Sequence, residues 1–476
     1  MSIKKVLTGA GSISIANSIR IAVQFFAFPV MARLLSPTEY GLAAMAMPII
    51  LLVMTIADSG LAASLVRVDP KNSSEWHSCF WLSFGLGCGF ALVLSMASPL
   101  IAMLLEQPRL EEIIPALATI LPLQMLAVVP SAALQRHGRF GHIASVEIFS
   151  IFASISLAVL CATYGFGVWA LILQQVIYFL LRTSGTFIIS DYSPRFKFNL
   201  LEIKSHIRFG RSILLTNLIN FGSRASESSI IGRSLGPEIF GIYAMAFQFA
   251  RMPSMLITGP LNYVLYPQIA RIRHDPAGVK SMFILTTKVL ALLFFPAIAV
   301  AAAASAPIFH VLLSEKWSRA GLIFMLVAPA MAIQCVSNSI NVFLMALGRT
   351  DIQVRLATLT AALWLAAMFA SIWFGIEVVA ISYTVCILVM FAWTLHQAMP
   401  ILNCSTWTYL RCLHVPLLVA TLDTLLYYFG SVQLQNNYLG QIGLAAAIVS
   451  GSLLASLVIQ RVELTRQFHI AGQALA

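Results

Sequence analysis

Charged residues lie where long apolar runs would least tolerate them. Arg20, Arg224 and Arg251 each sit well inside such a run, as do Asp58 and Glu227. A guanidinium matches phosphate through two parallel hydrogen bonds, so arginines in an otherwise apolar setting point to a phosphorylated ligand. Amides accompany them. Asn17, Arg20 and Gln24 recur at helical spacing, as do Asn217, Asn220, Arg224 and Glu227, and Gln248 stands one turn before Arg251. Opposed, these stripes would line a wet, cationic cavity suited to a sizeable anion, a phosphate or pyrophosphate. The arginines are expected to hold that anion, with the amides beside them as further contacts. Asp58 and Glu227 are candidates for proton or ion coupling. A plainer reading stays open: Arg224 and Glu227 are spaced for a simple ion pair, and Arg20 could pair with Asp58 of the next run. Arg251 has no acid on its own helix, which singles it out for substrate. Glu147 and Lys288 read as structural residues near run ends, and Asp423 has no functional reading.

The elements that must position these groups follow from composition. Of the chain, 59% is hydrophobic and 10% charged, with mean hydropathy +0.88, a profile foreign to soluble domains. Apolar stretches long enough to cross about 30 Å of hydrocarbon recur throughout, and the strict alternation of barrel strands is missing. The predicted spans are 11–34, 41–66, 78–104, 112–134, 141–164, 168–190, 209–232, 239–264, 282–306, 320–345, 353–374, 377–399, 412–430 and 438–460. Proline interrupts four of them, at Pro99, Pro115, Pro122, Pro296 and Pro329. The first span is too long and too polar for a signal-peptide core and is expected to be retained. No loop between spans has room for a catalytic domain.

The chain repeats itself. RLLSPTEYG (33–41) returns as RSLGPEIFG (233–241), and Leu104-Leu105 as Leu312-Leu313. Gly138-Arg139 returns as Gly348-Arg349, and GFGVWAL (165–171) as GIEVVAI (375–381). Two similar halves with a site at their interface are a common transporter design. The expected division is a six-helix lobe over 1–205, a second over 206–400, and two further helices with a tail over 401–476.

The net charge of +11 suggests nucleic acid at first sight, but the basic residues crowd into alternate short loops, which sets topology instead. About 19 fall on one side, including Arg136, Arg139, Arg195, Lys197 and Arg349, against Arg33, Arg109, Arg233, Lys316 and Arg319 on the other. That bias places both termini in the cytoplasm. The connection 191–208 reads as an amphipathic stretch on the inner surface. The seven cysteines lack metal-ligand spacing and read as inert thiols, and no metal or cofactor is expected.

The segments SPTEYGLAAMA (36–46), ADSGLAASLVR (57–67), LQRHGRFGHIASVEI (134–148) and YGFGVWAL (164–171) resemble the Wzx-type polysaccharide repeat-unit flippases. These belong to the multidrug/oligosaccharidyl-lipid/polysaccharide exporter superfamily, and the likeness is to its fourteen-span exopolysaccharide branch. It implies an all-α membrane protein of two pseudo-symmetric six-helix bundles plus two C-terminal helices. It also implies alternating access, with undecaprenyl-pyrophosphate-linked oligosaccharide moved from the cytoplasmic to the periplasmic leaflet of the inner membrane. A polysaccharide polymerase would be a partner. In similar proteins arginines on the first and eighth spans contact the diphosphate, and Arg20 and Arg251 stand at comparable positions. The second half departs from the pattern at Thr258, where the first has Asp58. Two rival classes are a cation antiporter of the same fold, which the basic charge disfavours, and a membrane enzyme acting on lipid-linked sugars. For the latter, the only acidic cluster in an outer loop is Glu106 to Glu112, which reads as a solvated face.

Overall fold

A computed structural model of the chain describes residues 26–58, 74–190, 192–260, 265–434 and 437–459, with 23 and 65. Side chains are described for these except at 58, 74, 200–217, 219–220, 256–260 and 457–459. Among the described residues the only regular structure is helical. In chain order the helices are α1 (residues 26–34), α2 (Pro37–Asp58), α3 (Ser74–Leu104), α4 (Leu110–Ala118), α5 (Ile120–Arg136), α6 (Phe140–Thr163) and α7 (Val168–Ile189). There follow α8 (Leu200–Pro260), α9 (Tyr266–Arg271), α10 (Pro276–Ala303), α11 (Ser305–Leu313), α12 (Ser318–Ala346), α13 (Thr350–Ser371), α14 (Ile376–Ala398), α15 (Thr406–Val432) and α16 (Tyr438–Ile459). Among the described residues, 11 segments are long and apolar enough to cross a bilayer, and they coincide with eleven of the expected spans. The spans expected at 11–34, 209–232 and 239–264 rest wholly or partly on residues or side chains outside the described set. The protein is a multi-pass membrane protein.

Local chemistry sets the helix ends. Ser36 caps α2: its hydroxyl accepts from the Glu39 N–H at 3.3 Å, while the Glu39 carboxylate accepts from the Ser36 N–H at 2.8 Å. This is a capping box, read directly from S-P-T-E. Helix α10 starts at Pro276, six residues before the span expected at 282, because Asp275 caps it by accepting from the Ala277 N–H at 3.1 Å. Two expected spans are each broken in two. The span at 112–134 divides at Thr119, three residues before Pro122, whose ring removes a backbone donor from the first turn of α5. The span at 282–306 ends at Ala304, where α11 takes over.

The repeat reappears in the backbone. Gly138 and Gly348 both have positive φ (68° and 77°), as do Gly165 and Gly375 (81° and 97°). Glu106 and Ser314, each following a matched Leu-Leu, are left-handed as well (55° and 98°). The 33–41 and 233–241 corners meet one another. A Cβ on Gly41 would lie 1.7 Å from the Pro237 carbonyl oxygen, and one on Gly241 would lie 2.0 Å from that of Pro37. Only glycine permits so close a crossing of two backbones. In the second corner Gly236 (φ 82°, ψ 166°) breaks α8 where Ser36 stands in the first.

By internal packing the chain forms two compact units, Met1–Gly241 and Ile242–Ala476. In the first, Trp76, Cys79 and Phe80 of α3 bury against Met125 and Val129 of α5, with Phe187 of α7 alongside. In the second, Phe283 of α10 stacks on Tyr409 of α15 (5.5 Å between centroids) and meets Phe343 of α12 edge-on. Close interlocking of this kind drives association where lipid removes any hydrophobic gain between helices.

Candidate substrate site

Among the residues singled out above, Arg224, Glu227, Gln248 and Arg251 have described side chains. Asn17, Arg20 and Gln24 lie outside the described residues, as do the side chains of Asp58, Asn217 and Asn220.

Arg251 lies in the second segment of α8, half-buried, with its guanidinium over the Phe247 ring one turn earlier, 5.3 Å from the centroid. Phe247 is itself wedged. It packs against Tyr243 at 4.2 Å and edge-on against Tyr383 of α14 at 4.9 Å, and Tyr383 meets Trp364 of α13 at the same distance. The Tyr383 hydroxyl accepts from the Gln334 amide at 2.7 Å. Three helices therefore set the surface on which Arg251 rests. A cation–π contact uses the face of the guanidinium and occupies none of its N–H donors, which project from the edge. Gln248 is half-buried one turn before Arg251.

Arg224 and Glu227 lie in the first segment of α8 and differ in setting. Arg224 is exposed, with its guanidinium 6.0 Å from the Phe221 ring, and Glu227 is buried. Both arginines thus share one device, an aromatic residue one turn back on the same helix.

Three charged groups read otherwise from sequence need comment. Glu106 of the acidic outer loop is exposed and pairs with Arg233 at 3.2 Å. Lys288 lies about three turns into α10, deeper than expected, because the helix starts earlier. Asp423 is buried in α15, and its Oδ2 has no hydrogen-bond partner among the described residues.

Sequence reasoning missed Arg182 altogether. It stands inside α7 and donates through Nε to Glu147 of α6 at 3.1 Å and through an Nη to Gln124 of α5 at 2.5 Å. Tyr178, one turn earlier, donates to the other Glu147 oxygen at 2.6 Å. The signal was available: an arginine well inside the 168–190 run, and glutamines at corresponding places of the two repeats, Gln124 and Gln334. Among the described residues no group of three or more His, Cys, Asp or Glu side chains is arranged to hold a metal.

Among the described residues the fold is all-helical, and Arg182 lies well inside one of its spans. Residues 30–322 match the family described as polysaccharide biosynthesis protein, and the chain belongs to that family. It is 28% identical to the succinoglycan biosynthesis transport protein ExoT of Rhizobium meliloti, over 73% of this chain and 70% of that one. It is 26% identical to the lipopolysaccharide biosynthesis protein WzxC of Escherichia coli, over 74% and 72% respectively. Among solved structures it resembles the lipid II flippase MurJ in an inward closed conformation, with TM-score 0.74, 14% identity, and coverage of 94% of this chain and 98% of that one. A multidrug resistance MATE transporter of the MOP superfamily, inward-facing, gives TM-score 0.64 at 12% identity over 83% and 100%. The fold is that of the MOP superfamily.

Proposed function

We propose that the chain is a lipid-linked oligosaccharide flippase of the bacterial inner membrane. It moves undecaprenyl-pyrophosphate-linked repeat units from the cytoplasmic to the periplasmic leaflet for exopolysaccharide, capsule or O-antigen assembly. Family membership, relatives named for polysaccharide transport and the MOP fold support this reading. The carrying observation is Arg251, an arginine in a helix that the sequence reads as membrane-spanning, held against an aromatic surface built by three helices. Charge at such a position costs roughly 2.5–3.5 kcal/mol on insertion scales and marks function by default.

The physical task is to carry a sugar headgroup and two phosphates through hydrocarbon while a polyprenyl tail stays in lipid. Unpaired charge there is prohibitive, so a water-filled basic cleft open sideways to the bilayer is required. In this reading Arg20, Arg224 and Arg251 hold the diphosphate. Asn17, Gln24, Asn217, Asn220 and Gln248 contact the attached sugar. Rocking of the two repeats alternates access. Asp58 and Glu227 are the groups that would couple a proton gradient. No covalent step is involved, and a polymerase takes the product. Both termini lie in the cytoplasm. The MATE-like fold keeps one rival, a cation antiporter, which a fluorescent-cation efflux assay separates from flipping.

Complementation of a flippase-null strain tests the proposal. Wild type is expected to restore polymer export, and Arg20→Ala and Arg251→Ala to lower it at least about tenfold at normal protein level. Undiminished export by both variants removes the site assignment. No export by wild type in its own host removes the function.

A further inference from the structure

The Arg182 cluster is charged, lies within membrane helices and is absent from the second repeat. Glu147 stands seven residues from the start of α6 and Arg182 seven residues from the end of α7, so both lie about 10 Å in from the same end of the bundle. Their side chains are 20% and 25% exposed. The second repeat packs the same helices with no charge at the matching positions. Ala357, Leu388 and Ala392 stand where Glu147, Tyr178 and Arg182 would be, and the matching Gln334 simply donates to Tyr383. The fold therefore does not need the ion pair, and a half-buried pair in hydrocarbon is poor value as a source of stability.

The cluster continues along α7. Gln174, Tyr178 and Arg182 follow at four-residue intervals, with Gln175 beside them, and all four are half-buried. Leu180 and Ile188 are exposed on another sector of the helix, roughly 160° away from Arg182 in the case of Leu180. This stripe gives α7 a mean hydropathy of 1.3, against 2.1 for α6. Many polar groups on it have no protein partner among the described residues: the amides of Gln174 and Gln175, the Gln124 Nε2, and the second Arg182 Nη. Half-buried amides without partners are costly unless water or a ligand meets them.

We propose that this stripe is a glycan-binding subsite that sets which sugar headgroup is accepted. Glu147 cancels the charge of Arg182 and would repel a phosphate, so the diphosphate is not its ligand. What remains is a net-neutral array of donors and acceptors on planar amide, carboxylate and guanidinium groups, the complement of a hydroxyl-rich ring. The inference rests on the flippase reading and adds a division of labour. Arg20, Arg224 and Arg251 hold the pyrophosphate common to all such lipids, and the α5–α6–α7 stripe reads the sugar that differs between them.

The test uses the full chain in nanodiscs with two probes: undecaprenyl pyrophosphate, and the lipid-linked oligosaccharide extracted from the chain's own host after deletion of its gene. Affinity is read by thermal stabilisation. Wild type is expected to bind the glycosylated lipid at least about tenfold tighter than the bare one. In Glu147→Gln/Arg182→Gln and in Gln174→Leu/Gln175→Leu that preference is expected to fall to about twofold or less, with affinity for the bare lipid unchanged. The second variant replaces half-buried amides with apolar groups in a membrane helix, so it reads the subsite even if the first fails to fold. Retention of the preference in either folded variant overturns the subsite, as does equal binding of both lipids by wild type. Failure of wild type to bind either lipid overturns the flippase reading instead.

Discussion

Arg251 is a placed charge: Phe247, Tyr383 and Trp364 build its support from α8, α14 and α13. Arg251→Lys should retain part of the export that Arg251→Ala loses, because an ammonium keeps the charge but not the planar fork. Phe247→Leu should lower export several-fold while leaving Arg251 in the chain, since the face it rests on is gone. Both are read by polymer export normalised to protein level. Tyr383→Phe removes the acceptor of the Gln334 amide and should cost about 1 kcal/mol in thermal stability with a smaller effect on transport. If Tyr383→Phe instead abolished export at unchanged stability, the hydroxyl would belong to the substrate rather than to the support.

Where elements meet, the repeated corners carry the strongest constraint. Gly41 and Gly241 let two helix starts cross with each Cα facing the other's backbone, and the obstacle to a side chain is a carbonyl that cannot rotate away. Gly41→Ala and Gly241→Ala are each expected to destabilise by at least about 1–3 kcal/mol, seen as loss of monodisperse protein in fluorescence-detected size exclusion. Gly236→Ala meets no atom within 4 Å and is limited only by its positive φ, so it should cost less than either. The capping box makes a separate prediction. Glu39→Ala should cost about 1 kcal/mol through loss of the bond to the Ser36 N–H.

Across the whole molecule, ion pairs respect the alternation of sides read from loop charge. Glu106 with Arg233 and Arg319 with Glu377 join residues assigned outside, and Arg349 with Asp351 joins residues assigned inside. The connection after α7 follows suit. Its Arg195 carbonyl accepts from the Trp81 indole at 2.9 Å, and Phe196 stacks on Trp81 at 4.4 Å, both near the start of α3, the end assigned inside. Cysteines placed at Glu111 and Lys197 in a chain otherwise lacking cysteine should label from the periplasm and the cytoplasm respectively. Labelling of both from one side would refute the topology. Moving two uncompensated phosphate charges outward across 100 mV gains roughly 4–5 kcal/mol with the inside negative, so flipping in proteoliposomes should slow when the potential is collapsed.

Much was legible in the chain itself because a membrane imposes one-dimensional rules. Length and hydropathy define spans, and glycines at Gly138, Gly165, Gly348 and Gly375, all with positive φ in the fold, mark the repeat. Prolines misled: Pro99, Pro115, Pro296 and Pro329, expected to interrupt spans, lie inside continuous helices. Partnership could not be read from spacing. Arg182 escaped notice because its meaning comes from Glu147 and Gln124, 35 and 58 residues away and brought to it by α6 and α5 packing on α7. The aromatic support of Arg251 is likewise assembled from three helices. Sequence determined which residues are costly to bury in lipid; tertiary packing decided which neighbours offset those costs, as Glu147 and Gln124 do for Arg182.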